Sequence, residues 1–324
     1  MKAKYRENLP QVSADVFLTD GGIETTLIYL EGLELPCFAA FDLLRSERGR
    51  ETLRKYFRTH ATIARERGVG FVLESATWRA SVDWGVKIGY SREAVVDANR
   101  QAIALLHELR AELETEEKPM PISGCIGPRG DGYKVETRMT AREAEAYHAL
   151  QARVFAEAGA DLVSAVTMTY VEEAIGIVRA ARAARMPVVV SFTTETDGRL
   201  PSGQALGEAI AQVDAETGAG PVYYMVNCAH PTHFAEALTG LNGSAGRIRG
   251  VRANASTKSH AELDTSTELD IGDPADLAAR CAALRGRLPN LNVFGGCCGT
   301  DHRHIAALAE ACVGQRRPRC EVKR

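Results

Sequence analysis

Eight short runs rich in β-branched or other apolar residues recur along this chain, each bounded by glycine, proline or polar turn residues. They cover residues 16–20, 70–74, 120–124, 161–166, 187–192, 222–226, 250–254 and 291–295. Between them lie segments of helical period at 47–67, 92–115, 140–158, 171–185, 205–217, 232–238, 273–287 and 302–313, with apolar residues such as Leu53, Tyr56, Phe57 and Ile63 recurring at spacings of three and four. Ser91, and Asp273 before Pro274, are the residue types that start helices. Eight strands alternating with eight helices give a parallel sheet covered on both faces, and the count favours closure into a (β/α)8 TIM barrel over an open doubly wound sheet. No low-complexity linker or charge block divides residues 1–324, so a single domain is expected, with 315–324 a solvated tail.

Active sites of such barrels form where the strands end and the following loops begin. Those positions hold Asp20-Gly21-Gly22, Glu74 to Trp78, Cys125 to Tyr133, Thr167 to Tyr170, Thr193 to Glu195, Asn227-Cys228, Asn254 to Ser256 and Gly296 to Asp301. Cys228 follows the sixth run, and Cys297 with Cys298 follows the eighth. The local Cys-x2–4-Cys pairs of a zinc knuckle are absent, yet on a closed barrel these strand ends are neighbours across one mouth, where three thiolates can converge. Adjacent residues of a regular strand point to opposite faces, so Cys297 and Cys298 share a metal only if the backbone leaves strand geometry, a freedom that Gly295, Gly296 and Gly299 supply. Three cysteine ligands would leave a tetrahedral Zn²⁺ one open position for a substrate thiol, and the electron-rich sulfur would suit a cationic electrophile. Other readings are a redox-active Cys297-Cys298 pair, a phosphate-binding glycine turn, or a ligand set of Cys228 with His230 and His233. Cys125 and Cys281, isolated in sequence, read as small buried residues.

Composition narrows the partners. The 39 basic and 42 acidic residues are scattered and leave a net charge of −3, so no basic field for nucleic acid is expected. No stretch approaches the roughly 18 apolar residues of a membrane span, and the charged N-terminus lacks an apolar segment behind it. A cytoplasmic protein, monomeric or a small homo-oligomer and acting on small molecules, is the expectation.

The motifs DGGIETTL from Asp20, LESATW from Leu73, CIGPRGDGY from Cys125, GADL from Gly159, SFTTETDGRLPSG from Ser191, VNCAH from Val226 and VFGGCCGTDHRHI from Val293 span nearly the whole chain. In these the sequence resembles the zinc-dependent homocysteine S-methyltransferase family. The resemblance implies zinc on Cys228, Cys297 and Cys298, Asp20 near the amino group of the thiol substrate, and backbone N–H groups around Gly21 and Gly22 for its carboxylate. It implies methyl transfer from a small cationic donor, a sulfonium or a betaine, to a thiol, homocysteine giving methionine. Asn227, beside Cys228, and Glu74 are further substrate-facing candidates. Trp78 is the candidate cation–π contact for the donor, and Trp84 reads as loop packing. One position departs from the family. An acidic residue usual after the fourth run is Val166 here, which weakens the case for homocysteine unless Asp20 or Glu74 compensates. A different thiol acceptor, a corrinoid-carrying partner as donor, or a barrel that binds zinc and thiol without catalysis are the alternatives.

Overall fold

The computed structural model describes residues 2–135, 137–241 and 243–313. Its parallel strands are β1 (Phe17–Leu18), β2 (Gly70–Phe71), β3 (Leu73–Glu74), β4 (Ile122–Ile126), β5 (Leu162–Met168), β6 (Val188–Phe192), β7 (Tyr223–Asn227), β8 (Ile248–Ala253) and β9 (Val293–Gly296). Their order in the sheet is β2-β1-β9-β8-β7-β6-β5-β4-β3. The two outermost strands, β2 and β3, are consecutive pieces of one segment interrupted only at Val72, where the Val72 N–H donates to Leu18. The sheet therefore closes on itself as a (β/α)8 barrel, and each of the eight expected runs is one of its staves.

The long helices also form where the periodicity places them, at Glu47–Glu66, Arg92–Leu113, Ala141–Ala158, Val171–Ala183, Leu206–Thr217, Pro274–Ala283 and His302–Val313. Ser91 and Asp273 cap their helices as expected, Asp273 accepting from the N–H groups of Ala275 and Asp276. The segment 232–238 is shorter than its periodicity suggests. A four-residue turn of helix, Pro231–Phe234, and a 3₁₀ turn, Ala237–Gly240, replace it. The proposed tail at 315–324 lies outside the described residues.

The barrel interior changes character along its axis, and that change positions the site. At the N-terminal ends of the strands, Phe17, Val72, Leu162, Val189, Tyr223, Met225 and Val293 fill the interior, with Leu9 packed against them. Asp161 ties the N-terminal segment beneath this plug, accepting from the N–H groups of Lys4, Tyr5 and Ile122 and from Arg110. At the opposite ends the strands carry Asp20, Glu74, Ser123, Ser164, Ser191, Asn227 and Arg252, all buried. Such polar groups stay buried only if hydrogen-bonded. Here they bond to one another: Ser123 Oγ lies 2.7 Å from Ser164 Oγ, and Ser191 Oγ donates to Asn227 Oδ1 at 2.6 Å. No helix among the described residues is long and apolar enough to cross a membrane.

Candidate metal centre and substrate cavity

β9 ends at Gly296, so Cys297 and Cys298 sit in the turn that follows rather than in strand geometry. Backbone bonds pin this turn: Cys297 N–H donates to Ala253, Thr300 N–H to Cys297, and Ala255 N–H to the Cys298 carbonyl. Gly299 turns the chain with φ +78°, and a Cβ there would stand 2.7 Å from the Asp270 carbonyl. Across the mouth, Cys228 takes φ 52°, a left-handed conformation that a non-glycine residue holds only when its surroundings enforce it. Its N–H donates to Arg252, and its carbonyl accepts from His260 Nε2 at 2.8 Å.

The result is that the Sγ atoms of Cys228, Cys297 and Cys298 all lie within 4.8 Å of one another. Cys228 and Cys297 are joined as a disulfide, and Cys298 Sγ is 4.0 Å from Cys228 Sγ. Tetrahedral metal–sulfur bonds of about 2.3 Å separate their sulfurs by roughly 3.8 Å, so the reduced trio needs only a small rearrangement to fit a soft divalent ion. Hydrogen-bond donors stand around the sulfurs as well. Tyr133 Oη is 3.1 Å from Cys298 Sγ, and Asn227 Nδ2 is 4.0 Å from Cys297 Sγ. Burial and the neighbouring sulfur push the Tyr133 phenol well above its ordinary value, so it remains a protonated donor. Its ring stacks on His260, centroids 4.1 Å apart.

The other ligand set considered from sequence does not assemble. His230 caps the short helix after β7, accepting from Thr232 N–H, and its burial holds it down to about 4, a neutral acceptor. His233 Nε2 donates to the Thr257 carbonyl instead. Cys125 and Cys281 are buried, as expected of isolated cysteines.

A cavity of about 350 Å³ opens beside the sulfurs and is lined by Asp20, Gly21, Gly22, Glu74, Trp78, Cys228, Cys297 and Cys298 among others. Asn227 stands behind it: Oδ1 accepts from Thr167 N–H and Ser191 Oγ, and Nδ2 donates to Thr167 Oγ1 at 2.9 Å. Its amide thus holds Thr167, itself left-handed at φ 65°, and the end of β7 in place. Val166, where the family pattern has an acid, lines the cavity.

Sequence reasoning missed the cations. Arg252, on β8 and 8% exposed, projects between Asp20 and Glu74. Its Nη2 lies 2.7 Å from Asp20 Oδ1, its Nη1 bonds Glu74 Oε2, and its Nε donates to the Gly296 carbonyl. Tyr56 completes the cluster, donating to Gly21 O at 2.9 Å and lying 3.2 Å from Asp20 Oδ2. The signal was a charged residue at an inward position near the end of a strand run, but Arg247 and Arg249 in the same stretch blurred it. Arg79 was also missed. Its guanidinium sits 3.9 Å from the Trp78 ring and 3.7 Å from the Trp84 ring, with one N–H donated to the Gly130 carbonyl. One face of Trp78 is therefore already engaged by a cation. Gly22 N–H is likewise engaged, by Thr300, which leaves Gly21 as the free amide of that pair among the described residues.

A closed (β/α)8 barrel with three convergent cysteines at its C-terminal mouth defines a class of small-molecule enzymes whose chemistry is built around sulfur. The family described as homocysteine S-methyltransferase matches residues 17–312, and this chain belongs to it; the protein is a methyltransferase. Among solved structures, it is similar to the homocysteine methyltransferase MmuM from Escherichia coli. The oxidised form of that protein superimposes with a TM-score of 0.73 at 19% identity, covering 93% of this chain and 97% of the other. The metallated form gives 0.70 at 20% identity, covering 92% and 96%. A search of curated protein sequences found no significant match.

Proposed function

We propose that this protein is a zinc-dependent thiol S-methyltransferase that moves a methyl group from a small cationic donor to a thiol, with homocysteine as acceptor and methionine as product. The observation that carries this reading is the convergence of Cys228, Cys297 and Cys298 on one wall of the substrate cavity. The metallated form of the similar bacterial enzyme supports it. Cys228, Cys297 and Cys298 would hold the zinc, which when bound would supply the Lewis acidity that favours the thiolate form of a substrate thiol and keeps its sulfur nucleophilic.

The remaining work falls to the chain itself. The new S–CH₃ bond forms as the donor's S–CH₃ or N–CH₃ bond breaks, its electron pair staying on the donor, which leaves uncharged at that atom. Tyr133 and Asn227 present hydrogen-bond donors to the ligand sulfurs, which fixes those sulfurs and tunes their charge. Gly21 offers a backbone N–H to a substrate carboxylate, a close approach that suits glycine. The barrel mouth holds the two reactants together and keeps water away. The donor's seat includes Trp78, which lines the cavity, whereas Trp84 packs outside it against Arg79 and Lys87.

The test is product formation. Reduced, zinc-loaded protein is incubated with a panel of thiols and of sulfonium, betaine and corrinoid donors, and methylated thiols are read by mass. Methionine from homocysteine with a sulfonium or betaine donor is expected. Zinc and thiol binding without any methylated product would leave a binding barrel in place of an enzyme of this specificity.

A further inference from the structure

The cavity presents a problem of charge. An amino-acid thiol carries an ammonium group, yet Asp20 and Glu74 are both bound to Arg252, and Val166 is apolar. Three of the other acidic side chains that line the cavity are engaged too. Asp131 accepts from the N–H groups of Tyr133 and Lys134, Asp264 pairs with Lys134, and Asp270 accepts from Ser256 and Gly272. Glu268 is exposed at the rim.

Glu24 differs from all of these. It is half-buried, lines the cavity, and stands in the first turn after Gly21 and Gly22. Its carboxylate bonds its own N–H and has no other hydrogen-bond or ion-pair partner among the described residues. The same turn packs against the ligand loop: a Cβ on Gly22 would stand 2.3 Å from the Cys297 carbonyl, and Gly299 N–H donates to Thr25 Oγ1 at 3.2 Å.

We infer that Glu24 is the specificity-determining seat for the ammonium group of the acceptor thiol, taking the place that Asp20, Glu74 and position 166 leave empty. This rests on the thiol methyltransferase reading above. One short turn then reads both ends of a zwitterion, the Gly21 amide facing the carboxylate and Glu24 the ammonium, while the thiol reaches the neighbouring sulfurs. The poor use of homocysteine that Val166 alone would suggest is thereby reversed.

The test compares two thiols on reduced, zinc-loaded protein by titration calorimetry: homocysteine and its deaminated analogue 4-sulfanylbutanoate. A charge-assisted contact of this kind is expected to favour homocysteine about ten- to a hundredfold. Glu24→Gln should abolish that preference by weakening homocysteine while leaving the analogue's affinity unchanged, and Glu24→Asp should restore part of it. Zinc content is measured alongside to confirm that the metal site is intact. An unchanged ratio in Glu24→Gln overturns the inference and leaves the thiol reading standing, as does a loss confined to binding of a sulfonium or betaine donor. Failure of either thiol to bind the zinc-loaded wild type overturns both.

Discussion

Arg252 decides what its neighbours can do. With Asp20 and Glu74 bonded to one guanidinium, two carboxylates that the sequence presents as free are instead a closed, buried cluster. Removing one partner of such a cluster leaves uncompensated charge in a low-dielectric site, which costs roughly 3–5 kcal/mol. Arg252→Met should therefore lower unfolding stability by about that amount in urea titration at neutral pH, and a loss under 1 kcal/mol would show that water already screens the cluster. The cysteines lead to a second expectation. Reduced protein should take up one zinc, and Cys228→Ala, Cys297→Ala or Cys298→Ala should abolish uptake, while Cys125→Ala and Cys281→Ala keep it. Protein carrying the Cys228–Cys297 bond should take up none until reduced, since two of its three sulfurs are not thiolates. Full zinc retention by Cys297→Ala would remove that residue from the ligand set. The three cysteines were legible because thiols at strand ends have few other uses. Arg252 and Glu24 were not, because a lone charge in a strand or a turn carries no pattern until its neighbours are known.

At the scale of elements, the staves and long helices were readable because their periods are set by burial, which repeats. The connections were not. The segment after β1 winds through a short helix at Ile23–Thr25, a π turn at Thr26–Leu30 and 3₁₀ turns at Pro36–Phe38 and Ala40–Arg45, the first three reaching the cavity and the last packing against the helices Glu47–Glu66 and Arg92–Leu113, shapes that follow tertiary packing rather than local pattern. The end of β7 shows how such a detail reaches function. Asn227 does not line the cavity, but its amide holds Thr167 and lies next to Cys228, both in left-handed conformations. Asn227→Ala should relax that corner and weaken zinc binding about ten- to a hundredfold, the usual effect of losing a group that orients a ligand. Competition against a chromogenic chelator measures it. Wild-type affinity in the variant would mean that the backbone bond from Cys228 to Arg252 suffices to hold the ligand.

For the molecule as a whole, an apolar plug below and a polar floor above leave Glu24 as a charged group that works against the fold. Burial pushes the Glu24 carboxyl up from an ordinary value of 4.5 to about 7, with Asp20 adding to the effect and Arg79 and Arg252 opposing it. Between those two values the folded protein holds the proton more tightly than the unfolded chain does. Stability therefore falls as pH rises through this window, and the penalty is complete above about 7. By linkage it amounts to something on the order of 3 kcal/mol. Glu24→Gln carries no such charge and should be more stable than the wild type at pH 8 by about that amount, with the two converging towards pH 4. Urea unfolding of both proteins across that range gives the difference directly, and titrations common to the two cancel. Adding homocysteine and zinc at pH 8 should close the gap, because the acceptor's ammonium supplies the partner that the empty cavity withholds. A variant no more stable than the wild type at pH 8 would show that Glu24 is hydrated in the empty protein, and that its carboxylate waits for a cation without cost to the fold.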